Sequence, residues 1–394
     1  MAQNSSAYSR FLEYWLLDPE VTFLNHGSFG ACPIPVLHAQ QKWRDRLERQ
    51  PLQFLGTDIE AFLDEATAKL AKFVNCSAAD LVFVANATTA VNTVLRSLTF
   101  EPGNEIVTTN HEYNACRNAL DYVAERENVT IVVAEVPFPL ESAAQIIEAV
   151  MQKVSPRTQL ALLDHVTSQT GLIFPIADLV HQLTQQGVET LIDGAHAPGM
   201  LPLDLAKLGA TYYTGNCHKW LCAPKGSAFL SVQPERQAAI RPLTISHGAN
   251  SPRHDRSRFR LEFDWMGTTD PTGALSVPTA LAFMGQLLPG GWPELMAQNR
   301  QLAIAARTRL CEALKALPPC PDSMLGALAV VPLPDGDWQR LHAALLEQFG
   351  IEVPIIPWGH AGGRQIRISA QIYNTLEQYD YLAIALNQLL GRGV

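Results

Sequence analysis

Short apolar runs alternate with helical patterns between residues 81 and 232. The runs are rich in β-branched and aromatic residues, which predicts strands. They are LVFVA (81–85), EIVTT (105–109), TIVVAEV (130–136), QLALLDHV (159–166), ETLIDGAH (189–196), TYYTGN (211–216) and SAFLSV (227–232). Helical stretches at 88–98 and 114–126 separate the first of these runs. Strands without polar alternation, joined by helices, predict a mostly parallel sheet that is covered on both faces.

The pattern changes after about residue 275. Helical stretches and strand-like runs follow one another at 275–288, 300–317, 325–333, 338–349 and 365–369. This mixture predicts a smaller α+β domain after the larger α/β domain. We therefore divide the chain into an N-terminal segment that packs on the small domain (1–20), a large domain (21–275) and a small C-terminal domain (276–394).

Composition excludes several classes of protein. The 394 residues are 47% hydrophobic and 17% charged, which is typical of a folded chain and not of a disordered one. The net charge of -9 argues against nucleic acid or an anionic membrane as the main partner. No apolar run reaches the roughly 18 residues of a membrane helix, and the N-terminus shows no signal-peptide pattern. Seven scattered cysteines do not form a disulfide framework, so we expect a reduced, cytoplasmic protein.

Three motifs near predicted strand ends carry candidate chemistry, because ligands of parallel sheets bind outside the carboxyl ends of the strands. Lys219 lies in TGNCHKWLCAPKGSAFL (214–230), Asp193 ends the run TLI, and Thr88 and Thr89 stand between a strand and a helix. Taken singly, they could be a solvated lysine, an aspartate that caps a helix and two N-cap threonines. Together they offer an amine for an aldehyde, a carboxylate for a ring nitrogen and an anion cradle for a phosphate. The combination predicts pyridoxal 5'-phosphate as the cofactor.

At these residues the chain resembles the aminotransferase class V family of fold-type-I pyridoxal-phosphate enzymes. The resemblance rests on FLNHGSFG (23–30), HKWL (218–221), GTTDP (267–271) and RISAQIYN (367–374), and so extends over most of the chain. It is nearest to members described as isopenicillin N epimerase-like or cysteine desulfurase-like. It implies a mostly parallel, seven-stranded sheet in the large domain, and a homodimer with active sites at the interface.

The resemblance also implies roles for single residues. Lys219 would carry the cofactor as a Schiff base and move the Cα proton, Asp193 would pair with the pyridine nitrogen, and His196 would contact the ring hydroxyl. Arg367 would bind the α-carboxylate of an amino-acid substrate, for which a planar guanidinium is well shaped. The substrate-side residues would be Asn25, His26 and Arg367. The cofactor-binding residues would be Ala87, Thr88, Thr89, Tyr113, Ser168, Asp193, His196, Asn216, His218, Lys219, Gly267 and Thr268.

Some of these positions depart from the family pattern or point to a partner. Tyr113 stands where a histidine or another aromatic residue usually stacks on the ring, and Asn216 stands where serine is frequent. Gly267 and Thr268 fall in a segment that reaches the phosphate of the neighbouring subunit. We expect no metal site. Cys217 and Cys222 flank Lys219, but no further zinc ligands accompany them.

The sequence leaves the reaction open. Cysteine desulfurases carry a reactive cysteine in the stretch that corresponds to 350–369, which here contains none, and Cys320 lies well upstream, so a desulfurase is disfavoured. A C–S lyase that works by β-elimination needs Lys219 and a good leaving group. An amino-acid epimerase also needs a second acid, for which Tyr113 and His26 are candidates.

Two further alternatives have less support. An aminotransferase would have to accept a second amino donor, and no motif indicates one. A non-catalytic protein that binds pyridoxal phosphate would be expected to have lost Lys219, Asp193 or Arg367, and all three are present.

Overall fold

The computed structural model describes residues 9–391. The strands of this part of the chain are β1 (Thr22–Phe23), β2 (Leu81–Val84), β3 (Glu105–Thr109), β4 (Thr130–Ala134), β5 (Thr158–Asp164), β6 (Glu189–Asp193), β7 (Tyr212–Asn216), β8 (Ala228–Val232), β9 (Leu328–Leu333), β10 (Ile351–Glu352), β11 (Ile355–Pro357) and β12 (Arg364–Ser369). The helices are α1 (His26–Phe29), α2 (Ile34–Arg49), α3 (Pro51–Gln53), α4 (Ile59–Val74), α5 (Ala87–Ser97), α6 (Asn114–Glu127), α7 (Ala143–Met151), α8 (Ile176–Gln185), α9 (Leu205–Leu208), α10 (Arg258–Phe263), α11 (Thr272–Leu275), α12 (Val277–Met284), α13 (Gly291–Leu314), α14 (Trp338–Phe349) and α15 (Leu376–Leu389).

Seven strands form the central sheet, in the order β2-β8-β7-β6-β5-β3-β4. Strand β8 is antiparallel to its neighbours β2 and β7, and the remaining pairs are parallel. Each of the seven predicted runs overlaps one of these strands, so the prediction of a mostly parallel, seven-stranded sheet is confirmed. Every residue of β3 and β7 is buried, which explains why their sequences lack polar alternation.

Successive residues of the sheet strands point to opposite faces and so enter two separate cores. Leu162 and Leu191 belong to a cluster that also contains apolar residues of α5 and α6. Leu163 and Ile192, one residue further along, belong to a second cluster with residues of α7 and α8. Helices therefore cover both faces of the sheet, as the sequence predicted.

Parallel strands bring their last residues to one edge of the sheet. Asp164 at the end of β5 is in register with Asp193 at the end of β6, and Asp193 is in register with Thr214 of β7. Helix α5 begins directly after β2, and its first N–H, that of Ala87, donates to the side chain of Asn216 at the end of β7. This edge therefore gathers polar side chains from the ends of β5, β6 and β7 and the backbone N–H of Ala87, which follows β2.

The C-terminal part contains an antiparallel sheet in the order β11-β12-β9, and its apolar residues share a core with α13, α14 and α15. Helix α13 begins at Gly291 and ends at Leu314, whereas the sequence predicted 300–317. The helix therefore begins nine residues earlier than predicted and includes Pro293, which is tolerated because it lies in the first turn. The predicted helix over 275–288 is divided into α11 and α12, with Pro278 in the first turn of the second helix.

The predicted N-terminal segment is only partly described, since residues 1–8 lie outside the described residues. The Ser9 hydroxyl donates to the carbonyl of Ile372 over 2.7 Å, and the ring of Trp15 packs edge-on against Tyr373. The division of the chain at residue 275 stays a prediction. All seven cysteines are free. None of the helices within 9–391 combines the length and the apolar character that crossing a membrane requires.

Candidate active site

One pocket lies where the ends of β5, β6 and β7 meet the starts of α5 and α6 and the short helix α1. Its lining residues, here called the pocket wall, are Ser28, Phe29, Asn86, Ala87, Thr88, Tyr113, Asp164, Ser168, Asp193, Ala195, His196, Asn216, His218 and Lys219. Most of the residues predicted from sequence are thus brought together. The pocket lies outside the carboxyl ends of the parallel strands, where ligands of such sheets bind.

Lys219 follows β7 and extends its amine toward His196. The Nζ atom lies 3.0 Å from Nε2 of that histidine. Burial, and after it the charge of Arg367, lowers the pKa of Lys219 to about 8. Burial and the charge of Lys219 keep the pKa of His196 well below its usual value, so the ring is neutral. A buried amine that is partly uncharged near neutral pH is suited to attack an aldehyde and to accept a proton.

Asp193 and Asp164 stand side by side in the pocket wall, at the ends of β6 and β5. Asp193 accepts the backbone N–H of Ala195 over 2.9 Å and the thiol of Cys116 over 3.3 Å. Oδ2 of Asp164 is buried and has no hydrogen-bond partner among the described residues. Burial raises the pKa of both carboxyl groups. The pair is therefore suited to a cationic group, since an unpaired buried carboxylate is costly.

The start of α5 forms a candidate anion site. Asn86 is the N-cap, and its Oδ1 accepts both the N–H and the hydroxyl of Thr89. Thr88, in the first turn of the helix, lines the pocket. His218 stands opposite, with Nδ1 3.1 Å from the carbonyl of Ser227, and burial lowers its pKa to about 4. A helix N-terminus with a nearby hydroxyl and imidazole suits a phosphate group.

Arg367 lies on β12, directly behind two residues of the pocket wall. It donates from Nη1 to the carbonyl of Ser168 over 2.5 Å and from Nη2 to the hydroxyl of Ser28 over 2.8 Å. Its Nε is buried without a partner among the described residues. Burial lowers the pKa of Arg367 to about 10, so the guanidinium remains charged at neutral pH. A buried cation of this shape is suited to an incoming carboxylate.

His26 does not reach the pocket wall, contrary to the sequence prediction. Its Nδ1 lies 2.8 Å from the Tyr373 hydroxyl, and its Nε2 lies 3.1 Å from the backbone carbonyl of Lys219. Burial lowers the pKa of His26 to about 3. The ring is thus engaged in buried contacts and is not among the residues that line the pocket, so its predicted role toward the substrate stays a prediction.

Four other predicted residues also lie off the pocket wall. Asn25 accepts a hydrogen bond from the hydroxyl of Ser28, which itself lines the pocket. The hydroxyl of Thr89 donates to Asn86, the N-cap residue of the same helix. Gly267 and Thr268 form a bend on the surface after α10, and the hydroxyl-bearing Thr268 is exposed. A contact of these two residues with a cofactor would require a second subunit, as the sequence resemblance implies.

The structure adds residues that the sequence analysis did not select. Asp164 ends a buried strand in the same way as Asp193, so the rule that identified one of them could have identified both. Ser28 lies within the FLNHGSFG motif, but the motif alone does not indicate that this serine accepts a hydrogen bond from Arg367. Glu112 is buried next to Cys116 and Asp193, and no sequence signal distinguished it from an ordinary surface glutamate.

Pyridoxal phosphate fits these residues. The buried Asp164 oxygen and Nδ1 of His196 lack partners among the described residues, and both side chains line the pocket. The Lys219 amine would hold the aldehyde, Asp193 the ring nitrogen, and the start of α5 with His218 the phosphate. The donor set thus matches the three functional groups of the cofactor.

The fold and the pocket define a fold-type-I, pyridoxal-phosphate-dependent enzyme. Residues 33–382 match the aminotransferase class-V family, and the chain belongs to that family. The family and the cofactor predicted from sequence are therefore confirmed.

Similar proteins catalyse more than one reaction. The chain is 35% identical to isopenicillin N epimerase of Streptomyces clavuligerus over 391 residues, which cover 95% of this chain and 96% of that protein. It is 30% identical to a probable chloroplastic L-cysteine desulfhydrase of Arabidopsis thaliana over 404 residues, which cover 95% of this chain and 84% of that protein. A solved complex of the cystine C–S lyase C-DES with cysteine persulfide has a TM-score of 0.78 at 22% identity, and the match covers 93% of this chain and 97% of that one. At this identity the structural likeness speaks for the fold alone.

Proposed function

We propose that the chain is a C–S lyase that cleaves the Cβ–S bond of cysteine or cystine by β-elimination. The observation that carries the proposal is that the pocket wall contains one amine, that of Lys219, and no thiol. Elimination requires one base at Cα and a leaving group at Cβ. Cysteine would yield hydrogen sulfide and, after addition of water, pyruvate and ammonia. Cystine would release cysteine persulfide in place of hydrogen sulfide.

Each residue has a distinct task in this proposal. Bound pyridoxal phosphate supplies an aldehyde that condenses with amines and a ring that withdraws electrons from Cα. Lys219 takes the Cα proton on Nζ, which its lowered pKa favours near neutral pH. Arg367 binds and orients the α-carboxylate from behind Ser28 and Ser168. Asp193 provides a negative charge opposite the ring nitrogen.

A persulfide-forming desulfurase has less support from the geometry. Cys116 is completely buried behind Asp193, and burial raises its pKa well above the usual value, which makes its thiol a poor nucleophile. Cys320 is buried and accepts a hydrogen bond from Arg307. The loop after β11, where desulfurases carry their cysteine, holds Trp358, whose ring packs on His111 at 4.8 Å.

Epimerisation is the second candidate, and the position of Tyr113 favours it. This residue is 42% exposed, lines the pocket and immediately precedes α6. Its phenol is the remaining candidate for the second acid, since His26 is engaged behind Lys219. The two reactions share the removal of the Cα proton. They diverge afterwards, because elimination breaks the bond at Cβ whereas epimerisation returns a proton to the opposite face of Cα.

Incubation of the purified enzyme with cysteine, cystine and several L-amino acids in deuterated water separates the candidates. Pyruvate together with sulfide or persulfide supports the lyase. Deuterium at Cα with inversion, and no pyruvate, contradicts the lyase and supports the epimerase. Conversion of the cofactor to its amine form with release of a keto acid indicates transamination and contradicts both. Tyr113→Phe is the matched variant, because it should abolish inversion while elimination remains.

We also propose that the chain forms a homodimer, with the active sites at the interface. Gly267 and Thr268 lie away from the pocket of their own chain, as would be expected if they served the other subunit. A cleft of about 720 Å³ is lined by Trp265, two residues before Gly267, and by both apolar and charged residues; among them, Leu52 is 85% exposed. Light scattering tests the dimer, and Thr268→Ala should weaken retention of the cofactor without changing the oligomeric state. The cytoplasmic location stays a prediction.

A further inference from the structure

A buried group of two carboxyls and a thiol includes Asp193 of the pocket wall and two residues that do not line the pocket. The ligand-type atoms of Glu112, Cys116 and Asp193 all lie within 4.8 Å of one another, and the three residues are buried. The Cys116 thiol donates to Oδ2 of Asp193 over 3.3 Å. Glu112 accepts the hydroxyl of Thr108 and the backbone N–H of Tyr113, each over 3.0 Å. The thiol thus contacts a carboxyl within the pocket wall and lies within 4.8 Å of a carboxyl that does not line the pocket.

The charges around this group do not balance if every carboxyl is ionised. Asp164 adds a third buried carboxyl next to Asp193, and Lys219 is the cation whose charge acts on both aspartates. Tyr213 on β7 also feels the charge of Asp193, but it contributes no cation. Adjacent buried carboxylates cannot all ionise, so protons must remain on some of them.

We propose that Glu112 is a positioning residue of the reaction: it retains a proton and, through the thiol of Cys116, fixes the orientation and the negative charge of Asp193. The proposal rests on the role of Asp193 opposite the ring nitrogen, and it is independent of whether elimination or epimerisation follows. The protein would thus keep Asp193 ionised and facing the cofactor, although the carboxyl groups of Glu112, Asp164 and Asp193 are all buried close together.

The environment of Glu112 agrees with this role. Burial and the charge of Asp193 raise the pKa of Glu112 to about 8, so that it is protonated at neutral pH. A protonated Glu112 adds no repulsion against an ionised Asp193. When Glu112 is protonated it needs no hydrogen from Cys116, so the thiol can donate to Asp193. The distance of 3.3 Å between the thiol sulfur and Oδ2 of Asp193 agrees with this.

The test compares full-length holoenzymes that carry Glu112→Gln, Cys116→Ala, Cys116→Ser or Glu105→Gln. Glu105 is the matched control, because it is a buried glutamate at the other end of β3 and pairs with Arg157. The first readout is the infrared carbonyl band of a protonated carboxylic acid, followed from pH 6 to pH 10. The second is the rate of Cα hydrogen exchange with solvent, which elimination and epimerisation both require.

We expect the wild type and Glu105→Gln to show a carboxylic-acid band whose intensity falls with rising pH. Glu112→Gln should lose the component of this band that titrates near pH 8, and Asp164 can still contribute to what remains. Glu112→Gln and Cys116→Ala should slow Cα exchange about tenfold, the effect of one weakened hydrogen bond, with KM unchanged because Arg367 is untouched. Cys116→Ser keeps a donor and should stay within about twofold of the wild type.

An unchanged infrared band in Glu112→Gln, or a loss of exchange no larger than that of Glu105→Gln, would overturn the proposal. If Glu112→Gln does not fold, the difference between Cys116→Ala and Cys116→Ser decides, and equal rates in those two variants contradict the link. A wild-type enzyme that exchanges Cα hydrogen but releases no pyruvate refutes the lyase alone, and leaves these readouts valid.

Discussion

Replacement of Arg367 by alanine separates binding of the substrate carboxylate from the chemistry at Cα. The guanidinium now donates to the backbone carbonyl of Ser168 and to the hydroxyl of Ser28. A carboxylate that takes two such donations forms a bidentate, charge-assisted pair. Each charge-assisted hydrogen bond contributes about 1.5 kcal/mol or more, so the pair contributes at least about 3 kcal/mol.

This free energy corresponds to a fall of at least about 150-fold in kcat/KM, expressed mainly as a higher KM. Arg367→Lys keeps the charge but loses the planar fork, and should lie between the wild type and Arg367→Ala. The assay is steady-state kinetics with cysteine, compared with cysteamine, an amine that lacks the carboxylate. Cysteamine should react slowly with every variant and lose little further activity in Arg367→Ala.

The control is Arg364→Ala, three residues earlier on the same strand. Arg364 donates to the carbonyls of Pro334 and Asp337, away from the pocket. Its replacement should leave the preference for the carboxylate intact. Equal losses for cysteine and cysteamine in Arg367→Ala would refute the assignment, because they would show a general loss of structure or of base function.

Three further outcomes are expected. Asp193→Asn removes the negative charge opposite the ring nitrogen, and should lower kcat at least about a hundredfold while cofactor remains bound; unchanged turnover would refute the role. The folded-state pKa of Glu112, about 8, exceeds its ordinary value of 4.5, so its contribution to stability is complete below about pH 4.5 and is lost as the pH rises to 8. The melting temperature of the cofactor-free chain should therefore fall less between pH 4.5 and pH 8 in Glu112→Gln than in the wild type. Some fall should persist in the variant, because the pKa values of Asp164 and Asp193 are raised as well. Glu105→Gln is the control. Hydrogen bonds lower the pKa of Glu105, so the contribution of this residue to stability has the opposite dependence on pH. His26→Asn should destabilise the chain by about 1–3 kcal/mol through lost buried hydrogen bonds, without changing the stereochemistry of Cα deuteration; a selective loss of inversion would restore His26 as the second acid.

The central sheet could be predicted from sequence because its strands are buried on both faces. Runs such as QLALLDHV and TYYTGN have no amphipathic alternation, and this distinguishes them from the helices around them. The start of α13 could not be predicted in the same way, because Pro293 breaks the interior of a helix but is compatible with its first turn.

The candidate site was predictable where a residue type and a strand end coincide, as for Lys219 and Asp193. It was not predictable where the role of a residue depends on which way its side chain points. His26 belongs to a motif at the site, yet its ring lies behind Lys219 and contacts Tyr373. Glu112 adjoins an exposed tyrosine in sequence, but its carboxyl is buried against Cys116, and only tertiary packing determines that.

The most direct test of the account is to locate the cofactor on the chain. The holoenzyme is treated with borohydride, digested and mapped by mass spectrometry, with Lys219→Ala as the control. The account predicts a single pyridoxyl group on Lys219, whose amine lies at the pocket wall, 3.0 Å from His196. Lys225 is the nearby alternative, but its amine donates to the carbonyl of Gly30 over 2.7 Å. A pyridoxyl group on Lys225, or one that persists in Lys219→Ala, would contradict the account.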